Sequence, residues 1–335
     1  MKFLDLFSGV GGFRTGLEAA GHKCVGFIEF DKFARKSYQA IYDTKDEFTK
    51  NDIRTTKGSE LPDAGIWCFG FPCQDISIAG RKKGFKGKRS SLFFEVIRLL
   101  QERIENQQTL PKYLLIENVK NLLSIDDGWA FARVQFALDK VGYDSEWTIL
   151  QSSEVVPQNR ERIYIIGRLR KECTSQIFPI QRQSKGFVKS RIKQIGNYCR
   201  TDSFNGNPQV GRVYDPTGIA PTLNTMQGGN RQPKILVKAC LTPFREHKRQ
   251  NGRRFKANNE PAFTVTASDL NGVLIATNSV AIRKLTPLEC WRLQGFTDNQ
   301  FYKAKNAGLS DSQLYKQAGN AVTTKVVEEI GKQLL

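Results

Sequence analysis

Apolar residues in the first 170 positions follow two rhythms. Nearly continuous apolar runs, KFLDLF (2–7), KCVGFIEF (23–30), GIWCFGF (65–71), KYLLIENV (112–119) and RIYIIGRL (162–169), read as short strands. Between them, apolar residues recur every three or four positions over 13–21, 32–42, 91–104 and 128–142, which predicts helices. Residues 144–156 read as one more strand, and Gly21 closes the first helix as a C-cap glycine. Strands that are apolar on both sides must be covered on both faces. Their alternation with helices predicts an α/β fold with a parallel, doubly wound sheet. After about residue 175 the helical rhythm fades. The chain becomes rich in Gly, Asn and Thr, with short strands at KILVKAC (234–240) and GVLIAT (272–277). This predicts a second, smaller, irregular domain. Residues 220–237 and 261–275 share a Thr-containing strand, a polar turn and an apolar strand, which fits a duplicated hairpin or chance equally well. A helical pattern returns at 286–296, and a turn from 315 leads into a closing helix.

Composition removes several classes. No run approaches the roughly 18 apolar residues that span a bilayer, and MKFLDLFSG lacks the pattern of a signal peptide. The seven cysteines (24, 68, 73, 173, 199, 240 and 290) are odd in number and include no C-x-x-C pair. That argues against a disulfide framework and a structural zinc site, predicts no metal, and fits a reducing cytoplasm. The two histidines, His22 in a turn and His247 in a basic run, read as surface residues. A carboxylate is therefore the expected general acid or base.

Charge changes the picture more. The formal net charge is +18, from 51 basic and 33 acidic residues. Residues 81–89 hold six Lys/Arg and no acid, and residues 181–260 hold sixteen against four. These two segments carry the whole excess on an otherwise neutral body. Charge concentrated in this way reads as a polyanion footprint, pointing to nucleic acid.

Candidate chemistry sits at the strand ends. DLFSGVGG follows the first strand and opens a helix, whose N-terminal amides favour negative groups. The dinucleotide fingerprint G-x-G-x-x-G/A fails there, because Arg14 holds its sixth position. Glu29 ends the second strand, where a carboxylate can take both hydroxyls of a ribose, and Phe30 can stack on an adenine. Asp52 and Ile53 follow a third strand, with Asp52 able to accept from an adenine amino group. A nucleoside ligand without a pyrophosphate, S-adenosylmethionine over NAD, fits these residues. A lone cysteine is more often a small core hydrophobe than a nucleophile, so Cys73 in GFPCQDIS needs support from its neighbours. Glu117 continues an apolar strand, where a carboxylate is costly unless used or paired. Arg160 and Arg162 of QNRER alternate, so they share a side if the segment is extended.

The motifs DLFSGVGG, IEFDKFA, NDI, GFPCQDIS, SLFFEVIRLL, IENV, QNRERIYIIG, RKLTPLECWRLQGF and QAGNAV occur in the order found in C5-cytosine DNA methyltransferases. The chain closely resembles the bacterial and phage modification enzymes of that family over essentially its whole length. The resemblance implies a Rossmann-like S-adenosylmethionine-dependent methyltransferase domain, discontinuous over 1–175 and 312–335. It also implies a mainly β or irregular target-recognition domain with a hinge at 176–311. It implies methyl transfer from S-adenosylmethionine to C5 of a cytosine flipped out of a specific double-stranded DNA sequence, through a covalent adduct at C6. Cys73 would be the nucleophile and Glu117 would bind N3 and the amino group. Arg162 would hold O2, and Arg160 the adduct region or a nearby phosphate. Phe7, Val10, Gly12, Glu29, Phe30, Asp52, Ile53, Gly70, Pro72, Leu92, Asn320 and Val322 would line the cofactor pocket.

In the basic loop after the cysteine, Ser77, Arg81, Lys82, Lys83, Lys86, Lys88 and Arg89 are candidate DNA contacts, on a loop expected to close over the flipped base. Gln209 would fill the gap left by that base, Arg212 would approach DNA, and Thr222, in the family's T-L dipeptide, would meet a phosphate. The enzyme is expected to act as a cytoplasmic monomer, with a cognate restriction endonuclease as a conceivable partner in the same system. Two positions depart from the family pattern. Ile76 stands where many relatives have an aromatic, and Ala321 where some have serine. Three other readings remain. The tRNA-methylating branch usually carries a Cys-Phe-Thr signature, absent here. A non-catalytic DNA-binding module is disfavoured by intact Cys73, Glu117 and Arg162, and a nicotinamide oxidoreductase by Arg14.

Overall fold

The structure, a computed structural model, describes residues 1–71, 92–170, 172, 176–180, 191–197, 199, 207–226, 231–241, 271–274 and 281–334. Its larger sheet holds β1 (Lys2–Leu6), β2 (Lys23–Ile28), β3 (Phe48–Lys50), β4 (Ile66–Gly70), β5 (Tyr113–Val119), β6 (Tyr143–Gln151) and β7 (Glu161–Leu169), in the order β3-β2-β1-β4-β5-β7-β6. The first five strands pair in parallel. The sheet is nevertheless mixed, not all parallel as the sequence pattern suggested, because β7 runs antiparallel to both β5 and β6. The nine residues between β6 and β7 explain it. A parallel crossover needs a dozen or more, whereas a short connection returns the chain antiparallel.

Burial on both faces accounts for the continuous apolar runs. On one face Leu4, Leu6, Trp67, Phe69 and Ile116 pack with α3 (Leu92–Glu105) and α4 (Trp129–Lys140) through Phe93, Leu99, Val134 and Leu138. On the other, Phe3, Ile66, Cys68 and Leu115 pack with Phe13 and Leu17 of α1 (Gly12–Ala19) and with Val327 and Ile330 of α8 (Thr324–Gly331). Successive residues of β1, β4 and β5 thus serve opposite layers. The C-terminal helix α8 lies directly on α1. A Cβ at Gly16 would stand 2.6 Å from both the Thr324 carbonyl oxygen and Val327 Cβ, so this close approach needs a glycine.

The C-terminal part is more helical than its pattern suggested. It contains α5 (Pro287–Leu293), α6 (Asp298–Asn306) and α7 (Asp311–Asn320). Helix α6 was not expected, and α7 occupies the position where a turn was read. The inner face of α6 buries only Phe301 and Ala304, too few to give a periodic signal. Its start is marked instead by a capping box between Thr297 and Gln300. Helix α6 packs on α2 (Lys32–Ile41), and Trp291, Phe301 and Leu314 form a third core cluster that also holds Val10, Ile41, Leu223 and Met226.

The smaller sheet contains β8 (Gln194–Asn197), β9 (Arg212–Tyr214), β10 (Lys234–Leu241) and β11 (Asn271–Leu274), in the order β11-β10-β9-β8, with β12 (Ala281–Lys284) paired to β10. Strand β10 covers the predicted KILVKAC. Residues 261–270 of the suspected repeat lie outside the described residues. No helix among the described residues is long and apolar enough to cross a membrane.

Candidate active site

The strand order reverses between β1 and β4, the point at which open α/β sheets form a crevice beyond the strand carboxyl ends. The segments after β1, β2, β3 and β4 all emerge at that edge. Strand β7 runs the other way, so its N-terminal end, carrying Arg162, arrives at the same edge as the C-terminal end of β5, carrying Glu117. The register pairs Arg162 with Val119 and Glu117 with Tyr164. Arg162 Nε then lies 3.1 Å from Glu117 Oε1, with both side chains largely buried. Glu117 is also the partner of Gly70, the last residue of β4. A Cβ at Gly70 would stand 3.3 Å from Glu117 Oε2, so the absent side chain leaves this carboxylate its room. The chain therefore leaves β4 beside Glu117, three residues before Cys73. Pro72, Cys73, Ser77, Arg81, Lys82, Lys83, Lys86, Lys88 and Arg89, with Ile76, lie outside the described residues.

A second group gathers around the turn after β1. Gly9 and Gly11 have φ of 57° and 87°, left-handed values that glycine takes at little cost. Phe7 also has a positive φ, 54°, and rests partly buried on the main core. The Glu29 carboxylate reaches back into this turn. Its Oε2 accepts the Gly9 N–H and its Oε1 the Asp31 N–H, both at 2.7 Å. Burial pushes the Glu29 carboxyl above the ordinary glutamate range, against the pull of those two bonds. Phe30 beside it is 69 % exposed, with the Arg54 guanidinium 5.5 Å from its ring centroid. Asp52 is held by Arg54 through a 2.6 Å ion pair, which keeps its carboxyl below the usual range. Gly12 lies against Val322, whose Cγ2 would be 2.8 Å from a Cβ there. The buried Ser8 hydroxyl has no hydrogen-bond partner among the described residues.

The geometry sorts the predicted residues. Phe7, Gly12, Glu29, Phe30, Asp52 and Gly70 lie at or just beyond the C-terminal ends of β1 to β4, and Val322 lies against Gly12. Val10 and Ile53 put their side chains into core clusters, and Leu92 opens α3 against the main core. Asn320 is the exposed last residue of α7. Gln209 is exposed beside β9, and Arg212 donates to the Asn207 carbonyl at 2.9 Å. Thr222 is exposed and gives its hydroxyl to the Asn159 carbonyl. Arg160 is 3 % exposed and donates to the carbonyls of Leu223, Gly319 and Ala321. Arg14, which broke the dinucleotide fingerprint, turns away from the turn. It makes a two-pronged contact with Glu47 at 2.7 and 2.9 Å and lies over the Tyr42 ring. Gln158, fully buried and two residues before Arg160, was missed. Its place in the same alternating run 158, 160, 162 was the available signal.

A model of the C-5 cytosine-specific DNA methylases matches residues 1–335, the whole chain. The chain belongs to this family. The methylase is 34 % identical to an orphan methyltransferase of Bacillus phage SPbeta, M.SPBetaI, over all of this chain and 97 % of that protein. It is 32 % identical to the type II methyltransferase M.HhaI of Haemophilus parahaemolyticus, over 98 % of this chain and 93 % of that one. Among solved structures, the Schizosaccharomyces pombe Dnmt2 methyltransferase matches with a TM-score of 0.65 at 19 % identity, covering all of this chain and 98 % of that one; this likeness speaks for the fold. The methylase is an enzyme that methylates C5 of cytosine in DNA, in a family that depends on S-adenosylmethionine. The crevice suits such a cofactor. Its edge carries the Glu29 carboxylate with acceptor capacity left and the exposed Phe30 ring, and the buried Ser8 hydroxyl in the adjoining turn has no hydrogen-bond partner among the described residues.

Proposed function

We propose that this methylase modifies a cytosine flipped out of a specific double-stranded DNA sequence, with Cys73 as nucleophile and Glu117 and Arg162 as the groups that hold the base. The observation that carries this reading is the Glu117–Arg162 pair, facing the end of β4 from which the chain runs on to Cys73. C5 of cytosine is a poor nucleophile. Addition of the Cys73 thiolate to C6 makes an enamine and divides a hard step into easier ones. Glu117 gives a proton to N3 as negative charge develops there and accepts a hydrogen bond from the amino group, and Arg162 holds O2. When bound, S-adenosylmethionine supplies the electrophilic methyl group that the activated C5 takes. Loss of the C5 proton then lets the thiolate leave. The target atoms cannot be reached inside a duplex, hence the flipped base.

Glu29 would take the ribose hydroxyls and Phe30 the adenine face, with Asp52 at its amino group. Phe7, Gly12, Gly70, Pro72, Asn320 and Val322 would complete the pocket, and Val10, Ile53 and Leu92 would shape it from beneath. The basic segment 81–89 and Ser77 would close on phosphates, and Gln209, Arg212 and Thr222 would meet the duplex. In domain terms, 1–175 with 312–335 would form the catalytic part and 176–311 the recognition part. The contact of α8 with α1 supports that return of the chain. A cytoplasmic monomer, in a phage or bacterial setting with or without a companion endonuclease, completes the reading. Expression in a host followed by bisulfite sequencing of its DNA tests it and yields the target. Folded protein that leaves every cytosine unprotected sinks it.

A further inference from the structure

Residues 220–226 form a strap that threads between the β6–β7 connection and the C-terminal helices. On one side it is zipped to residues 157–160. The Ala220 N–H donates to the Pro157 carbonyl at 2.9 Å, the Asn159 N–H donates to the Ala220 carbonyl at 2.8 Å, and Gln158 Oε1 accepts the Leu223 N–H at 3.4 Å. On the other side it meets the end of α7 so closely that a Cβ on Gly319 would overlap the Asn224 carbonyl. Arg160 sits where these parts meet. Its Nη1 donates to the Leu223 carbonyl at 3.2 Å, and its Nη2 to the carbonyls of Gly319 and Ala321 at 3.2 and 2.9 Å. The last carbonyls of a helix lack intrahelical partners and carry its negative end, so a buried cation there is well matched. Gln158 Nε2 adds a bond to the Leu293 carbonyl at 2.9 Å, at the end of α5.

Two functional pieces therefore meet at one guanidinium, and a third adjoins it along the chain. The strap follows β9, which carries Arg212. The α7 end leads through Asn320 to Val322 at the cofactor turn. Arg162, two residues beyond Arg160, faces Glu117. We propose that Arg160, assisted by Gln158, is a positioning residue that keeps the recognition strap and the cofactor-closing segment in register with the Glu117–Arg162 pair, and that it acts through them without touching DNA. This deepens the proposed function and rests on it. Lysine cannot replace the planar fork, because its ammonium is a compact point on a flexible stem.

The test uses full-length wild type, Arg160→Met, Arg160→Lys and Gln158→Leu, with a duplex bearing the site found by bisulfite sequencing and duplexes altered at one base pair of it. Misplacement of reacting groups by about 1 Å costs about 100-fold in rate. Arg160→Met should lose about that much in single-turnover methyl transfer, and its preference for the correct site should shrink. Its duplex affinity and the salt dependence of that affinity should stay within about threefold of wild type. Arg160→Lys should recover little of the rate. Gln158→Leu, which keeps the cap on α7, should show the same pattern more weakly, and it carries the test if Arg160→Met does not fold. Variants with wild-type rate and site preference overturn the inference. So does full recovery by lysine, which would make charge alone sufficient. Loss of affinity with a salt slope shallower by about one makes Arg160 a phosphate ligand and also overturns it. A wild-type protein without methyl transfer overturns the proposed function, and this inference with it.

Discussion

Glu29→Gln separates a cofactor-binding carboxylate from a merely structural one. Each carboxylate oxygen already takes one backbone N–H at 2.7 Å. A carboxylate offers about four acceptor sites, so about two remain for ribose hydroxyls. Glutamine has a single acceptor oxygen, and its amide nitrogen must face one of the backbone donors. One backbone bond and one hydroxyl acceptor are lost, together with the charge. A hydrogen bond to a charged group contributes about 1.5–3 kcal/mol, so the Kd for S-adenosylmethionine should rise about 10- to 150-fold. The fold should lose only about 1 kcal/mol, because the site is half-buried and the orphaned N–H can find water. Titration calorimetry measures the first quantity and urea unfolding the second. The pH response has a definite sign. Burial holds the Glu29 carboxyl above the ordinary range, so on acidification it protonates earlier than a surface glutamate would. Wild-type affinity should fall as the pH drops through that region, and the glutamine variant should stay flat. A folded variant that binds within about twofold of wild type would refute the role of Glu29.

Cys73→Ser should abolish methyl transfer and prevent covalent trapping on duplex containing 5-fluorocytosine at the target; trapping by the variant removes Cys73 from its role. Duplex affinity should fall steeply with salt, log K dropping by about 0.9 per phosphate neutralised, and a flat response in a binding titration contradicts the charge reading. Asp5 is fully buried, accepts from the Tyr38 hydroxyl at 3.2 Å, and burial holds its carboxyl well above the usual range. The native state thus keeps a proton that the unfolded chain releases above about pH 4, and wild-type stability falls as pH rises through that window. Asp5→Asn carries no such proton, so its stability relative to wild type should grow by up to about 1.4 kcal/mol per pH unit. Urea unfolding at pH 5 and pH 8 measures this, and equal differences at both refute it. Arg103 is buried and donates to the carbonyls of Thr109, Gly58 and Leu61 at 2.8, 3.1 and 2.8 Å. Arg103→Met should lower stability by about 2–4 kcal/mol while sparing the activity per folded molecule.

What could be read from the chain divides along local and non-local lines. The strands at 2–7, 65–71 and 112–119 were legible because both faces are buried, which leaves an apolar run that nothing else explains. Glu117 was legible for the same reason, as a charge that an apolar strand tolerates only if paired, and it is paired with Arg162 at 3.1 Å. Arg160 shows the limit. Alternation in sequence put it on the side of Arg162 and suggested a shared task. Its partners, however, are the carbonyls of Gly319 and Ala321, some 160 positions away. No periodicity in QNRER encodes a helix end that far along the chain. Helix α6 failed for a different reason: its inner face buries only Phe301 and Ala304, too few positions to set up a rhythm. Arg14 joins both lessons. Its failure to fit the dinucleotide fingerprint was visible, and it weighed against a pyrophosphate ligand, in keeping with a family that depends on S-adenosylmethionine. Its own purpose, a buried two-pronged contact with Glu47 beneath two tyrosine rings, depended on residues that only the fold brings near. A polar residue that breaks a motif thus signals where the chain has an obligation to satisfy, and the fold determines which group satisfies it.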